Sequence, residues 1–446
     1  MRIERIFMAL CIPLLAADKN DQLVQRTTVL PLSLKKAVEI ALSPEGSTRL
    51  QLATEALKQS EARSAEARAA LLPDVEAQIS DSNQTRNLAA LGLQFPVIPG
   101  FRIPTVVGPF NVFDARTSVN QSVFDFSSIR RFQASKVSVG ASKSDLDNTR
   151  DQVMDQVARA YLAGLRAQTA VETAKANVDL SEALLKLSRS QKEAGTGTGI
   201  EITRAQVQLA NDRQRLLEAE NQRTRANLQL LKVIGVRLDN PVQLTDRLSY
   251  LPVDPEEEEK AVKLARDTRP DLKAQQERET SARLSYSSVK MERIPSIAAF
   301  GDYGPTGTNT SQIPTREYGI ALRIPIFDGG RRDARRAESA SQLRQEKIRT
   351  ADLKDQIELE VRTALDSLRS ADAQVKASRE GLQLAENELA QARRRYQAGV
   401  TNSVEVTDAQ TRLDRARQNE IDALYNHNLA RIDLATAMGR IETAVQ

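Results

Sequence analysis

The sequence predicts a mainly α-helical protein with a small β part, built from two halves that each carry strands and a long helical hairpin. Three observations predict it. One short turn is written twice, apolar positions recur every 3.5 residues through two uninterrupted stretches, and four shorter segments alternate apolar with polar residues.

The repeated turn is the clearest. "KEAGTGTGIEITRAQVQL" runs from Lys192 to Leu209, and "YQAGVTNSVEVTDAQTRL" from Tyr396 to Leu413. Gly195 aligns with Gly399, Glu201 with Glu405, Thr203 with Thr407 and Gln206 with Gln410, each pair 204 positions apart. The echo extends outwards. "VFDFSSIRRFQASK" resembles "IFDGGRRDARRAES", "KKAVEIAL" resembles "EKAVKLAR", and "LLPDV" resembles "RIPSI". The sequence therefore divides into a signal-like segment at 1–17, a first repeat at 18–240 and a second at 241–446, each holding a helix, two strands and a hairpin.

Composition fits this scheme and excludes others. Of 446 residues, 40% are hydrophobic but only 4% are aromatic and none is Trp, which excludes a thick core of large rings. The 63 basic and 59 acidic residues are interspersed and leave a net charge of +4, the pattern of a solvated helix surface laced with i,i+4 pairs. A nucleic-acid site would need a concentrated basic patch with stacking aromatics, and none is present. One His (His427) and one Cys (Cys11) exclude a His-based triad, a thiol–imidazole pair and a multi-ligand zinc centre. No catalytic residue, metal ligand or cofactor site is expected.

At the start, Arg2 and Arg5 precede an apolar run from Ile6 to Ala17. That run is too short to span a bilayer but suits a secretory signal cut after Ala16-Ala17, which would discard Cys11. No later stretch reaches the ~18 continuous apolar residues of a membrane-spanning helix.

The long helices follow from periodicity. Val153, Val157, Ala160, Gly164, Ala167, Val171, Ala174, Val178, Ser181 and Leu185 step by four and three, and Ile357 to Leu389 repeats the rhythm. This is a coiled-coil seam, with many small residues that let partner helices approach closely. Neither Ile129–Ala194 nor Arg331–Ala398 holds a helix breaker, so at ~1.5 Å per residue each helix would reach about 100 Å. Returning helices are expected over Glu201–Val233 and Val404–Met438.

Strict alternation through Tyr318, Ile320, Leu322, Ile324 and Ile326 predicts a strand, as do "PDVEAQISD", "ARTSVNQSVF" and "PSIAAFGDY". Periodicity alone favours soluble hairpins, although about nine residues also fits a tilted transmembrane strand. Four strands cannot close a barrel around a channel, so a membrane location would demand several chains. The long apolar segment from Asn87 to Phe113 reads as a loop, and "GPTGTNTSQIPT" as its plain hairpin counterpart. Between the repeats, Asp254 and Pro255 ahead of four glutamates mark a helix start rather than a metal site.

Taken in order, these features resemble the TolC-like outer-membrane factor family, whose members are exit ducts of tripartite efflux pumps and type I secretion systems. The most specific marks are the paired turns, the "IPIFDGG" junction and "RPDLKAQ" at Arg269–Gln275. The resemblance implies a homotrimer in the outer membrane, with a shared twelve-stranded transmembrane β-barrel and an α-helical periplasmic tunnel. It implies a periplasmic adaptor protein and an inner-membrane transporter of RND or ABC type as partners, besides outer-membrane lipid. The turns at Gly195, Gly199, Gly399, Thr401 and Ser403 would form the periplasmic tip that meets the adaptor.

By the same resemblance, Glu405 and Asp408 would ring a channel constriction, and Tyr396 would latch the tip by bonding Glu201. The residues alone read as two solvated acids at a helix start. The family's latching arginine is Thr401 here, and Arg204 stands where the second half has Asp408. The rival readings are a soluble coiled-coil scaffold, which leaves the signal segment and strands idle, and a periplasmic adaptor, which carries one hairpin rather than two.

Overall fold

The computed structural model describes residues 30–92, 100, 104–252, 257–308 and 310–445. The signal segment expected at 1–17, the helix start at Asp254 and Pro255, and the tip of the 87–113 segment lie outside these. The chain runs β1 (Leu30–Leu32), α1 (Leu34–Leu42), α2 (Thr48–Ala69), β2 (Asp74–Asn87), β3 (Val106–Phe124), α3 (Phe126–Glu193) and α4 (Gly199–Ile234). It continues through β4 (Val242–Leu244), α5 (Glu258–Thr268), α6 (Pro270–Met291), β5 (Ser296–Thr308), β6 (Ser311–Arg323), α7 (Arg331–Gln397), α8 (Ser403–Ala437) and α9 (Ile441–Val445).

The long helices α3 and α7 span 68 and 67 residues, or about 100 Å each. They form because no proline interrupts them and because one stripe buries small and aliphatic side chains. Along α7 that stripe is Ile357, Val361, Ala364, Leu368, Ala371, Val375, Ala385 and Leu389. The returning helices α4 and α8, of 36 and 35 residues, cover about half of that length. Along the rest, α2 and α6 take their place, α2 packing on α3 and α6 on both α3 and α7.

The helix expected at the head of each half is two helices. After α1, Ser43 to Ser47 turn the chain, and Gly46 lies so close under the Ile40 and Ala41 carbonyls that a Cβ would collide with them. Between α5 and α6, Arg269 is extended (φ −64°, ψ 123°) because Pro270 follows it and opens α6 at its first position. Helix α5 opens at Glu258 with Glu258 and Glu259 in its first turn, where the helix dipole favours them.

A band of short elements crosses the middle of the long helices. β1 and β4 pair in parallel, Leu30 with Val242 and Leu32 with Leu244. Beneath them Leu32, Val38, Val157, Tyr161, Leu230, Ile234 and Ile441 form one core. Val262, Leu272, Val361, Leu365, Leu434 and Met438 form a second. Tyr161 donates to the Leu32 carbonyl (2.9 Å) and to Asp246 (2.8 Å), while Asp246 accepts from the Leu34 amide (2.9 Å). Further on, Asn428 donates to the Ser249 carbonyl (2.9 Å), and Tyr250 donates to Asp372 and stands 4.9 Å from the buried His427 ring. The connection between the halves is thereby strapped across α7 and α8. The sole histidine lies on α8, buried beside this strap, and burial pushes its pKa down.

At the far end lies one antiparallel sheet in the order β2-β3-β5-β6. Its strands hold 14, 19, 13 and 13 residues, longer than the nine read from alternation. The ladder is made by backbone groups and so continues through polar residues, as where Asn83 faces Asn111 and donates to it (2.6 Å). The segment read as an apolar loop is accordingly strand from Val106 onward, and in the other hairpin pairing reaches Thr308 with Ser311. Strand β6 stops at Arg323, short of Ile324 and Ile326, because β5 begins opposite it at Ser296 and Pro325 offers no N–H.

Where α9 and the start of α6 meet α3, the half-buried Asp151 faces Asp147, Glu442 and Asp271, and burial plus these anions push its pKa up to about 6. A carboxyl raised from its usual value stabilises the fold when protonated, and that stability is lost as pH rises from about 4 to about 6. Asp151→Asn should therefore raise the melting temperature by about 1–3 °C at pH 8, with the gain vanishing below pH ~4. Melting curves of both proteins across that range check it.

Candidate functional site

The sheet has two chemically distinct faces. Val75, Val119, Gly301 and Tyr318 are successive cross-strand partners, and Ile79 and Ala115, or Ile297 and Leu322, share their face. Tyr318 and Ile320 there are 80% and 77% exposed. One residue along, Glu76, Ser118, Asp302 and Glu317 line the opposite face, with Gln78, Arg116, Asp114 and Asn120. Arg116 is held there by Asp114 (2.5 Å) and reaches Asp302 (3.6 Å). An apolar and a charged face, on a sheet whose two edges are unpaired among the described residues, suit a wall between lipid and water. No helix of the described residues is long and apolar enough to cross a membrane.

At the opposite end, about 100 Å away along the helices, both hairpins turn through the same device. α3 is C-capped by Ala194 and Gly195 takes φ +76°; α7 is C-capped by Ala398 and Gly399 takes φ +71°. The Thr196 amide bonds the Gln191 carbonyl (2.9 Å) and Gly195 bonds Lys192 (3.0 Å). In the second turn Val400 bonds Arg395 and Gly399 bonds Tyr396, both at 3.0 Å. This is the Schellman arrangement, which requires a left-handed residue just past the helix end. Glycine at these two aligned positions is therefore a backbone demand.

After the turns the copies diverge. Glu201 reaches back to the Thr198 amide (3.0 Å) and caps its own helix. Its aligned partner Glu405 does not. Asn402 caps α8 instead, accepting from the Val404 amide (3.1 Å), and Glu405 pairs with Arg395 (2.7 Å) and accepts from the Thr401 hydroxyl. The positions matching Arg395 and Thr401 in the first turn are Gln191 and Gly197, which supply no cation and no hydroxyl. Ser403 is buried, and Gly199 opens α4.

No Tyr396–Glu201 hydrogen bond is formed within the chain, and one Glu201 oxygen caps its own helix. Tyr396 is 3% exposed, packs with Leu184, Leu389, Val406 and Leu413, and sets its hydroxyl 3.4 Å from Ser188. Burial raises its pKa. Gln191 donates to the Tyr396 carbonyl (3.3 Å), so both contacts join α3 to α7 across the tip. Higher up, Gln410 donates to Ser181 (3.2 Å), Ser181 donates to the buried Asp212, and Asn177 donates to Asp414 (2.6 Å), which also pairs with Arg215 (2.6 Å). This polar chain, buried at Ser181, Asp212 and Gln410, ties α3, α4 and α8 together and was not anticipated from the sequence.

Glu405 and Asp408 do not meet one another's partners. Asp408 is exposed and lines a groove of about 540 Å3 between the starts of α4 and α8, together with Arg204, Ile200, Val207 and Val404. Among the described residues no group of three or more acids, His or Cys could hold a metal ion.

Comparison with known proteins places these features in context. A family model described as "Outer membrane efflux protein" matches residues 42–236 and 261–440. The outer membrane efflux protein BepC of Brucella suis is 22% identical over 356 residues, 76% of this chain and 77% of its own. The pyoverdine export outer membrane protein OpmQ of Pseudomonas putida is 25% identical over 426 residues, 91% of this chain and 85% of its own. The solved Campylobacter jejuni CmeC outer membrane channel superposes with a TM-score of 0.76 at 18% identity, over 92% of this chain and 86% of that one.

The turns generate a paired prediction. No atom lies within 4 Å of a Cβ built at Gly399 or at Gly381, so neither substitution by Ala is resisted by crowding. Gly399→Ala forces a Cβ into left-handed backbone and should cost about 1–2 kcal/mol. Gly381→Ala, inside α7, should instead stabilise by up to about 1 kcal/mol. Denaturation midpoints that move in opposite directions, with faster tip proteolysis for Gly399→Ala alone, are the expected result.

Proposed function

Since the chain belongs to the outer membrane efflux protein family, and so is an outer-membrane channel protein with a large periplasmic part, we propose that it is the passive exit duct of a tripartite efflux pump or type I secretion system. The observation that carries this is the four-stranded sheet with one apolar face, one charged face and two unpaired edges, set at the end of helices about 100 Å long. Three copies joined edge to edge would close twelve strands, with Glu76, Asp302 and Glu317 towards water and Val75, Ile320 and Leu322 towards lipid. Stacked below, three sets of hairpins would enclose a periplasmic tunnel. A soluble scaffold or an adaptor has no use for a sheet of this polarity.

The remaining assignments follow from that reading. The chain divides into two tandem repeats near residue 240. The turns at Gly195, Gly199, Gly399, Thr401 and Ser403 are the end that meets a periplasmic adaptor, and through it an inner-membrane transporter of RND or ABC type. Asp408 and Glu405 lie nearest the tunnel mouth and form its constriction, while Tyr396, buried against Ser188, latches the tip. The duct carries no enzymatic chemistry and needs no cofactor. In line with this reading, BepC is named an outer membrane efflux protein and OpmQ a pyoverdine export outer membrane protein.

Detergent extraction tests the reading. The protein should come from the outer membrane as a species of three times the chain mass, dissociate on heating, and conduct ions in planar bilayers. Recovery as a soluble monomer would contradict it.

A further inference from the structure

We propose that Arg395 and Thr401 set the charge of the tunnel mouth by holding Glu405 inside the second turn, leaving Asp408 as the carboxylate that each chain offers to a passing cation. This rests on the reading of the tip as a constriction.

Both Glu405 oxygens are taken. Arg395 Nη1 lies 2.7 Å from Oε1, and the Thr401 hydroxyl donates to Oε2. The Glu405 side chain keeps 34% of its exposure and Arg395 57%, so the carboxylate is partly covered and its guanidinium partner is the more exposed of the two. A paired carboxylate acts at a distance as a small dipole, whereas a free one acts as a full charge, and the field of a charge falls off more slowly. Asp408 has the opposite situation. It is exposed, the next base along its helix, Arg412, is engaged by both oxygens of Glu388 (2.9 and 2.6 Å), and Arg204 stands across the groove. One turn of helix separates the two acids. The backbone therefore offers two charges to the mouth, and the clamp withholds one of them.

Arg395 is a selectivity-setting residue on this account, and Thr401 contributes without any charge of its own. That makes the clamp separable from simple charge counting. Arg394 is also exposed, forms no ion pair among the described residues and lies one position away. Its loss changes the formal charge as much as the loss of Arg395 while leaving Glu405 held.

The test is block of single-channel current by a trivalent hexammine cobalt cation in planar bilayers, applied from the tip side. Asp408→Ala should weaken block about tenfold. Arg395→Gln should strengthen it about fivefold, Thr401→Val about twofold to threefold, and Arg394→Gln by less than about twofold. Adding Glu405→Gln to Thr401→Val should abolish that gain. If Asp408→Ala weakens block while Arg395→Gln matches Arg394→Gln and Thr401→Val changes nothing, the clamp is refuted and the constriction stands. If neither Asp408→Ala nor Glu405→Gln alters block, the constriction reading fails and the clamp with it.

Discussion

The outer edges of β2 and β6 each present a row of backbone N–H and C=O groups that have no strand partner among the described residues. In water such edges are a liability; in hydrocarbon, where each unmet group costs several kcal/mol, they are untenable. On the proposed reading the apolar belt through Val75, Val119, Tyr318 and Ile320 faces hydrocarbon, and the edges would be met by further copies of the chain. Much else follows from that constraint. The charged face through Glu76, Arg116, Asp302 and Glu317 would then be a hydrated interior, and the long helices that leave β3 and β6 would continue the same ring. Small residues along their seams let those helices pack closely enough to do so.

The far end of the helices is governed by a different economy. Both turns need a left-handed residue after a Schellman closure, and both have glycine there, so the backbone is the same in each. The side chains around it are not. Tyr396 sinks between hairpins while its aligned counterpart, Lys192, does not, and Arg395 and Thr401 replace Gln191 and Gly197. One glutamate thus caps a helix and the other is clamped. A duplicated scaffold carries two different chemistries because the backbone motif constrains only glycine and the cap, leaving the neighbouring positions free. The buried chain from Gln410 through Ser181 to Asp212 fixes the two hairpins side by side, so any widening of the tip must break or slide a desolvated contact.

The sequence was most legible where structure is periodic or where one residue type is obligatory. The bounds of α3, α4, α7 and α8 fall within a few residues of those read from the seam and the turns, because a sustained 3.5-residue rhythm and a left-handed glycine admit few alternatives. Strand ends were not legible, since the ladder at Asp81 to Asn87 is made by backbone groups beneath polar side chains. The pairing of β1 with β4 was invisible for a similar reason: three residues on each side, more than two hundred positions apart, carry no local pattern. At the tip, the sequence singled out Glu405 and Asp408 but gave no sign of their unequal surroundings. The difference was available at 191/395 and 197/401, yet only geometry shows that Arg395 bends back along its own hairpin to reach Glu405. Within one chain no Tyr396–Glu201 hydrogen bond is formed, and one Glu201 oxygen serves the capping box at Thr198.

The most direct test of the account asks whether the free edges meet. In a chain carrying Cys11→Ser, a cysteine at Ile79 on β2 is combined in turn with one at Tyr318, Ile320 or Leu322 on β6, all on the apolar face. Mild oxidation of outer-membrane fractions should then give covalent dimers and trimers for at least one pairing and not for the single cysteines. Cross-links absent from every pairing, with the protein nonetheless inserted and conducting, would contradict the closure of the sheet by copies of the chain.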